Sequence, residues 1–260
     1  MSFLFVLWYN SKCYLEEGMN VWYLSDLHLD LLSGSEYTSR VGELLVGGRC
    51  DDWLIIAGDV GRVSDIVDLL SKVSPCYSKV FFVFGNHDYY AIQPAAGTYK
   101  TIIKNVKERV SNLENVFILD NKVVTVDGIT IAGSTNWYSL EENYSKAWWS
   151  SMSNDYTYVH PEGYLGSNLH SIEDTTFLES IKKDVDILIT HIPPIHFKNN
   201  YFEPNEAFIK PLSLMFKPKY WVCGHQHFLE DSEYNGSRLL SNPMGYVGEV
   251  EDFTLRSFKV

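Results

Sequence analysis

Trp53-Leu54-Ile55-Ile56-Ala57-Gly58-Asp59 reads as a buried strand that stops at a glycine and delivers a carboxylate. Its apolar residues run on without alternation, as they do in a strand covered on both faces. The same pattern recurs along the chain. Val21-Trp22-Tyr23-Leu24 ends in Ser25-Asp26-Leu27-His28, and Val80-Phe81-Phe82-Val83-Phe84 ends in Gly85-Asn86-His87-Asp88. Ile187-Leu188-Ile189 ends in Thr190-His191, and Tyr220-Trp221-Val222-Cys223 ends in Gly224-His225-Gln226-His227.

Between these runs lie stretches with helical spacing: Ser64 to Val73, Thr98 to Leu113, and Ile172 to Ile181. A second set of strands reads as antiparallel: Val116 to Leu119, Val123 to Val126, and Ile129 to Ala132 after an Asp127-Gly128 turn. Ser237 to Leu240 and Phe253 to Phe258 add further strands at the end of the chain. Apolar strands alternating with helices predict an α/β protein. The expected architecture is a four-layer α/β/β/α sandwich, two mixed sheets flanked by helices, with the strand-end loops gathered on one edge.

The 260 residues, 45% hydrophobic, suffice for one large core. No linker, repeat or low-complexity tract interrupts them. Residues 1–18 read as an N-terminal extension ahead of the first core strand, and 19–260 as a single domain. An aromatic-rich insert spans about 136–169, with Trp137, Tyr138, Tyr144, Trp148, Trp149, Tyr156, Tyr158 and Tyr164 lying over the sheet edge.

The net charge of −12 argues against a broad basic face for nucleic acid or for an anionic membrane. It leaves a phosphate substrate open, because bound cations reverse the local field. Cys13, Cys50, Cys76 and Cys223 lack C-x-x-C spacing and read as reduced thiols, which places the chain in the cytoplasm. No apolar run approaches the ~20 residues needed to span a bilayer.

The strand-end blocks offer Asp26, Asp59, Asn86 and five imidazoles, His28, His87, His191, His225 and His227. Oxygen and nitrogen ligands without thiolate suit two divalent ions, manganese first, with iron, zinc or nickel as alternatives. Asp26 and His28 are two apart, so on an extended segment they point the same way. His225 and His227 have the same spacing and can serve different ions if the turn splays them. A carboxylate such as Asp59 can bridge two cations roughly 3.5–4 Å apart. Two divalent ions, two carboxylates and a bridging hydroxide leave about one positive charge, enough to hold an anionic phosphate.

The ordered motifs D-x-H, G-D, G-N-H-D, H and G-H-x-H resemble the calcineurin-like metallophosphoesterase superfamily, in a small bacterial and viral branch. The resemblance runs from about Val21 to the end of the chain. It implies that Asp26, His28, Asp59 and His227 hold one metal. Asp59, Asn86, His191 and His225 then hold the other, with Asp59 bridging. His87, Asp59 and Asn86 become the catalytic centre, with His87 the general acid that protonates the leaving alkoxide. Protein-phosphatase members carry G-D-x-V-D-R-G, whereas this chain has Gly58-Asp59-Val60-Gly61-Arg62. The missing second acid lowers the case for that branch.

The expected function is hydrolysis of a phosphomonoester or phosphodiester by metal-activated hydroxide. The expected substrate is a small phosphorylated molecule such as a nucleotide or cyclic nucleotide. A metal-dependent nuclease and a non-catalytic binding scaffold are the alternatives. Other residues have plainer readings. Asp88 braces a turn, Arg62 starts a helix, and His160, His170 and His196 are ordinary polar residues. Tyr89, Tyr90 and the insert aromatics are chiefly packing, with base stacking as the alternative. Glu141, Glu142, Glu249, Glu251 and Asp252 read as solvated acidic faces.

Overall fold

The computed structural model describes residues 18–45, 50–90, 98–140, 149–151, 153–159, 164–197, 209–250 and 252–260. Residues 1–17 of the expected 1–18 extension, with Cys13, and His160, Glu141, Glu142, Glu251 and part of the aromatic insert lie outside them.

The period-2 geometry of strands explains the layering. In β1 (Asn20–Leu24), Val21 and Tyr23 face one core and Leu24 another. In β2 (Trp53–Ala57), Trp53, Ile55 and Ala57 face the first core while Leu54 and Ile56 face the second. β3 (Lys79–Val83) divides the same way, with Phe81 and Val83 on one side and Val80 and Phe82 on the other. These strands are apolar throughout because both faces are covered.

The first sheet has the order β11-β1-β2-β3-β4, with β4 at Val116–Ile118 and β11 at Arg256–Lys259. The second sheet comprises β5 (Lys122–Val126), β6 (Ile129–Ser134), β7 (Ile187–Thr190), β8 (Tyr220–Cys223), β9 (Glu230–Tyr234) and β10 (Ser237–Ser241). Its order is β5-β6-β7-β8-β10-β9. Val21, Ile55, Phe81, Ile131, Ile189 and Val222 fill the space between the sheets.

Helices α1 (Gly34–Leu45), α2 (Val63–Val73) and α3 (Tyr99–Arg109) cover the outer face of the first sheet through Leu44, Leu69, Ile102 and Val106. The short α4 (Asn154–Tyr158) precedes α5 (Tyr164–Ser180), and Leu178 of α5 packs with Ala132, Leu188 and Trp221 of the second sheet. Both sheets are mixed, and the α/β/β/α sandwich stands.

Several local expectations change. Val116–Ile118 pairs parallel with β3 in the first sheet, Phe81 opposite Phe117, and does not join the antiparallel set. The hairpin is β5-β6 alone, turning at Asp127 and Gly128, whose φ angles of 50° and 85° fit the primed turn that matches strand twist. Helix α1 and strand β9 gave no clear signal; β9 reads Glu-Asp-Ser-Glu-Tyr, an edge strand with little apolar character. The aromatic stretch does not merely overlie the sheet. Trp137, Tyr138 and Trp149 are fully buried and belong to the core under α1–α3. Among the described residues, no helix is long and apolar enough to cross a membrane.

Candidate metal centre

Every block identified in the sequence follows the C-terminal end of a parallel strand: β1, β2, β3, β7 or β8. The loops are tied to one another by backbone bonds. The Asp26 amide donates to the Gly58 carbonyl at 3.0 Å, His28 to Asp59 at 3.0 Å, and Gly224 to His191 at 2.9 Å. The loops adopt unusual backbone geometry. Asp26, His28, Asp59, His225 and His227 all have φ between 46° and 70°, a region non-glycine residues enter at a cost of order 1–3 kcal/mol each. Asp26 and His28 thus reach one cluster through left-handed turns, not along an extended segment. Gly58, at φ 87°, has no room for a Cβ, which would lie 2.6 Å from both the Gly85 nitrogen and His191 Nδ1.

Two groups of ligand-type side chains result, their atoms within 4.8 Å of one another: Asp26, His28 and His227, and Asp59, His191 and His225. His225 and His227 are splayed to different groups. Gln226 between them turns away, accepting from the Phe197 amide at 2.9 Å and donating to the Ile195 carbonyl at 2.9 Å. Asp59 lies between the groups. Its Oδ1 is 3.4 Å from His191 Nε2 and its Oδ2 is 3.8 Å from His28 Nε2. Asn86 Oδ1 approaches the second group, 3.1 Å from His191 Nε2.

The donor set fits divalent cations. His191 Nδ1 lies 2.8 Å from the Ala57 carbonyl, which can only accept, so Nδ1 carries the proton. Nε2 of the neutral ring then presents a lone pair to two oxygens, Asn86 Oδ1 and Asp59 Oδ1, and a cation resolves that clash. Without one, a proton takes its place: burial pushes the His191 pKa down, but the Asp59 charge and hydrogen bond overcome it and raise it to about 10. His227 is built similarly. Its Nδ1 meets Glu249 Oε2 at 2.6 Å and its Nε2 lies 3.1 Å from His28 Nε2 and 3.4 Å from Asp26 Oδ1. Burial lowers the His227 pKa, and Asp26 and Glu249 outweigh it, to about 9. Burial wins at His28, whose pKa falls to about 4, leaving a neutral imidazole with an unpartnered buried Nδ1. Burial also acts against ionisation of Asp26 and Asp59, yet the facing histidines hold both carboxyls below the usual range.

His87 belongs to neither group, although its ring meets His28 edge-on at 4.9 Å and its amide donates to Asp59 Oδ1 at 2.8 Å. Its Nε2 lies 3.0 and 3.1 Å from the two oxygens of Asp30, which also meets Arg62 Nε at 3.4 Å. Burial favours the neutral imidazole, but the bond to Asp30 and the charges of Asp59 and Asp30 raise its pKa. His87, Asp30, Arg62, Tyr90, Tyr158 and Tyr246 line a cavity of about 500 Å³. The Tyr246 ring packs against His28 and His227 at 4.4 and 4.8 Å between centroids.

Three acids important to this geometry escaped the sequence reading. Asp30 was passed over, Asp155 lay in the aromatic stretch, and Glu249 read as part of a solvated face. Each finds its partner far along the chain, 57 residues away for Asp30 and His87, so no local pattern announces it. Asp88, by contrast, braces turns as expected, taking backbone N–H bonds from Asp59, Val60, Gly61 and Gly85. Arg62 stands at the start of α2, where its amide donates to Asp65 Oδ2 at 3.0 Å. His170 is buried between the Tyr99 and Trp137 rings, stacked at 4.1 and 4.6 Å.

Comparison with known proteins gives the context for this arrangement. Residues 19–229 match the family model described as calcineurin-like phosphoesterase. The chain is 28% identical over 260 residues to uncharacterized protein L509 of Acanthamoeba polyphaga mimivirus, covering 89% of this chain and 92% of the relative. It is 38% identical over 74 residues to the [acyl-carrier-protein] phosphodiesterase PptH of Mycobacterium tuberculosis, a match spanning 27% of this chain and 21% of that protein. The crystal structure of that phosphopantetheinyl hydrolase superposes with a TM-score of 0.68 at 20% identity, over 93% of this chain and 96% of the other, which establishes the shared fold. The chain belongs to the calcineurin-like phosphoesterase family and is a metal-dependent hydrolase of phosphoric esters.

Proposed function

We propose that the chain is a cytoplasmic dinuclear phosphodiesterase of a small molecule such as a nucleotide or cyclic nucleotide. The observation that carries this reading is the placement of Asp59 between two ligand groups, one carboxylate oxygen toward each. Asp26, His28, Asp59 and His227 would hold one ion, and Asp59, Asn86, His191 and His225 the other. Manganese suits this nitrogen and oxygen set, which contains no thiolate. When bound, the ions lower the pKa of water and polarise the phosphate.

The chain's own groups do the rest. His87, whose pKa is raised by Asp30 against the effect of burial, would protonate the leaving oxygen; general acid catalysis of this kind contributes roughly 10²–10⁴-fold. Arg62, beside Asp30 and half-exposed, supplies positive charge at the mouth of the cavity. Tyr90, Tyr158 and Tyr246 offer aromatic faces to the ester's organic group. A diester is favoured over a monoester by the likeness to the mycobacterial phosphodiesterase. The cytoplasmic assignment rests on thiols at Cys50, Cys76 and Cys223 that are unpaired.

The test is hydrolysis of bis-p-nitrophenyl phosphate and p-nitrophenyl phosphate with and without Mn²⁺, alongside metal analysis. Asp59→Asn should lose bound metal, whereas His87→Ala should keep it and lose rate. Absence of metal-dependent turnover in folded protein, or equal metal loss in both variants, overturns the assignment.

A further inference from the structure

Asn86 has an oxygen on one side of its amide and an NH2 on the other, and only the oxygen can ligate a cation. Its orientation is therefore a condition of the second metal site, and it is fixed from outside the strand-end blocks. Asn86 Nδ2 donates to Asp155 Oδ1 at 3.0 Å, which leaves Asn86 Oδ1 facing His191. A flipped amide would set oxygen against oxygen at Asp155.

Asp155 is itself held in place. It is 5% exposed, on α4 in the aromatic stretch, 69 residues from Asn86. The hydroxyls of Tyr90 and Tyr138 donate to it at 2.7 and 2.6 Å. Its own amide donates to the Ser153 hydroxyl at 3.1 Å, and Trp149 Nε1 donates to the Tyr138 hydroxyl at 2.7 Å. The carboxylate thus receives three side-chain donors from three directions, and its rotamer is set by buried aromatic residues.

We propose that Asp155 is a positioning residue for the second metal: it holds the Asn86 amide with its oxygen toward Asp59, His191 and His225. The inference rests on the reading of Asn86 as a ligand. It makes the aromatic stretch part of the metal machinery and not only a wall of the cavity.

The experiment is Mn²⁺ titration of the full chain by calorimetry, with electron paramagnetic resonance to distinguish a coupled ion pair from an isolated ion. The wild-type chain should bind two ions as a coupled pair. Asp155→Ala removes the acceptor of the Asn86 NH2 and should weaken the second ion by about 10–100-fold, the usual cost of losing an outer hydrogen-bond partner. An isolated-ion spectrum should appear at limiting metal. Asp155→Leu, which removes the same acceptor but fills more of the space, should behave alike and serves if the first variant does not fold. Tyr90→Phe and Tyr138→Phe each remove one of the donors that hold the Asp155 carboxylate and should each weaken the second ion less than Asp155→Ala does.

The combined change Asn86→Asp with Asp155→Ala should restore the second ion, because a carboxylate presents an oxygen to the metal in either orientation and needs no partner to orient it. Retention of both ions at wild-type affinity in Asp155→Ala overturns the inference while leaving the dinuclear reading intact. So does failure of the combined change to recover the second ion. Fewer than two ions in the wild-type chain overturns both.

Discussion

Replacing Asp88 with asparagine should destabilise the fold far more than a change of one atom suggests. The residue is 1% exposed. One carboxylate oxygen accepts from the amides of Asp59 and Gly85 at 2.9 and 2.8 Å, the other from Val60 and Gly61 at 2.7 and 2.9 Å. It thereby ties the loop after β2 to the loop after β3. In Asp88→Asn a single oxygen can still serve Val60 and Gly61, but the new NH2 points at the amides of Asp59 and Gly85. Two buried donors lose their acceptor, at roughly 1–3 kcal/mol each. The expected loss is about 2–6 kcal/mol, a large share of the ~5–15 kcal/mol that holds a typical domain together. Asp88→Ala abandons all four donors and should cost more. Urea unfolding followed by far-ultraviolet circular dichroism should show a lower midpoint with an unchanged slope. An Asp88→Asn variant within about 0.5 kcal/mol of wild type would refute the view that this carboxylate carries the junction, since shifts that small are typical of surface changes.

Two further outcomes follow from single contacts. Glu249→Ala removes the partner of His227 Nδ1 and should weaken Mn²⁺ binding by about tenfold or more; calorimetric titration giving an unchanged affinity would show that this exposed carboxylate does not orient the ring. Burial pushes the Asp174 carboxyl from its ordinary 3.8 up to about 7, against the opposing bonds from the Trp137 amide and Asn121. The folded state then binds more protons than the unfolded one between those values, so this group's contribution to stability is fully present at low pH and is lost as pH rises through about 7. Asp174→Asn should therefore gain on the wild type as thermal melts move from pH 4.5 to pH 8; a difference that stays flat, or reverses, would contradict the assigned shift.

The strand ends were legible because two requirements coincide there. A strand buried on both faces must be apolar throughout, as in Trp53–Ala57, and a ligand must follow where the strand stops, as Asp59 does. Local spacing failed where pairing is non-local. Val116–Ile118 is apolar in either setting, and its place beside β3 is settled by packing of Phe117 on Phe81. Edge strand β9 carries acids because, among the described residues, one of its sides has no neighbouring strand. Helical aromatics such as Trp149 look alike whether they line a cavity or fill a core, and the fold buries this one.

Sequence by itself determined the buried strands that carry the site, the blocks at their ends and the chemical kind of ligand, because each is a property of a few adjacent residues. Tertiary structure alone decided which carboxylates act on which imidazoles. Asp30 at His87, Glu249 at His227 and Asp155 at Asn86 are indistinguishable in the sequence from solvated acids. An acid becomes a partner only when folding removes its water and brings a donor within about 3 Å, and both events depend on residues tens of positions away.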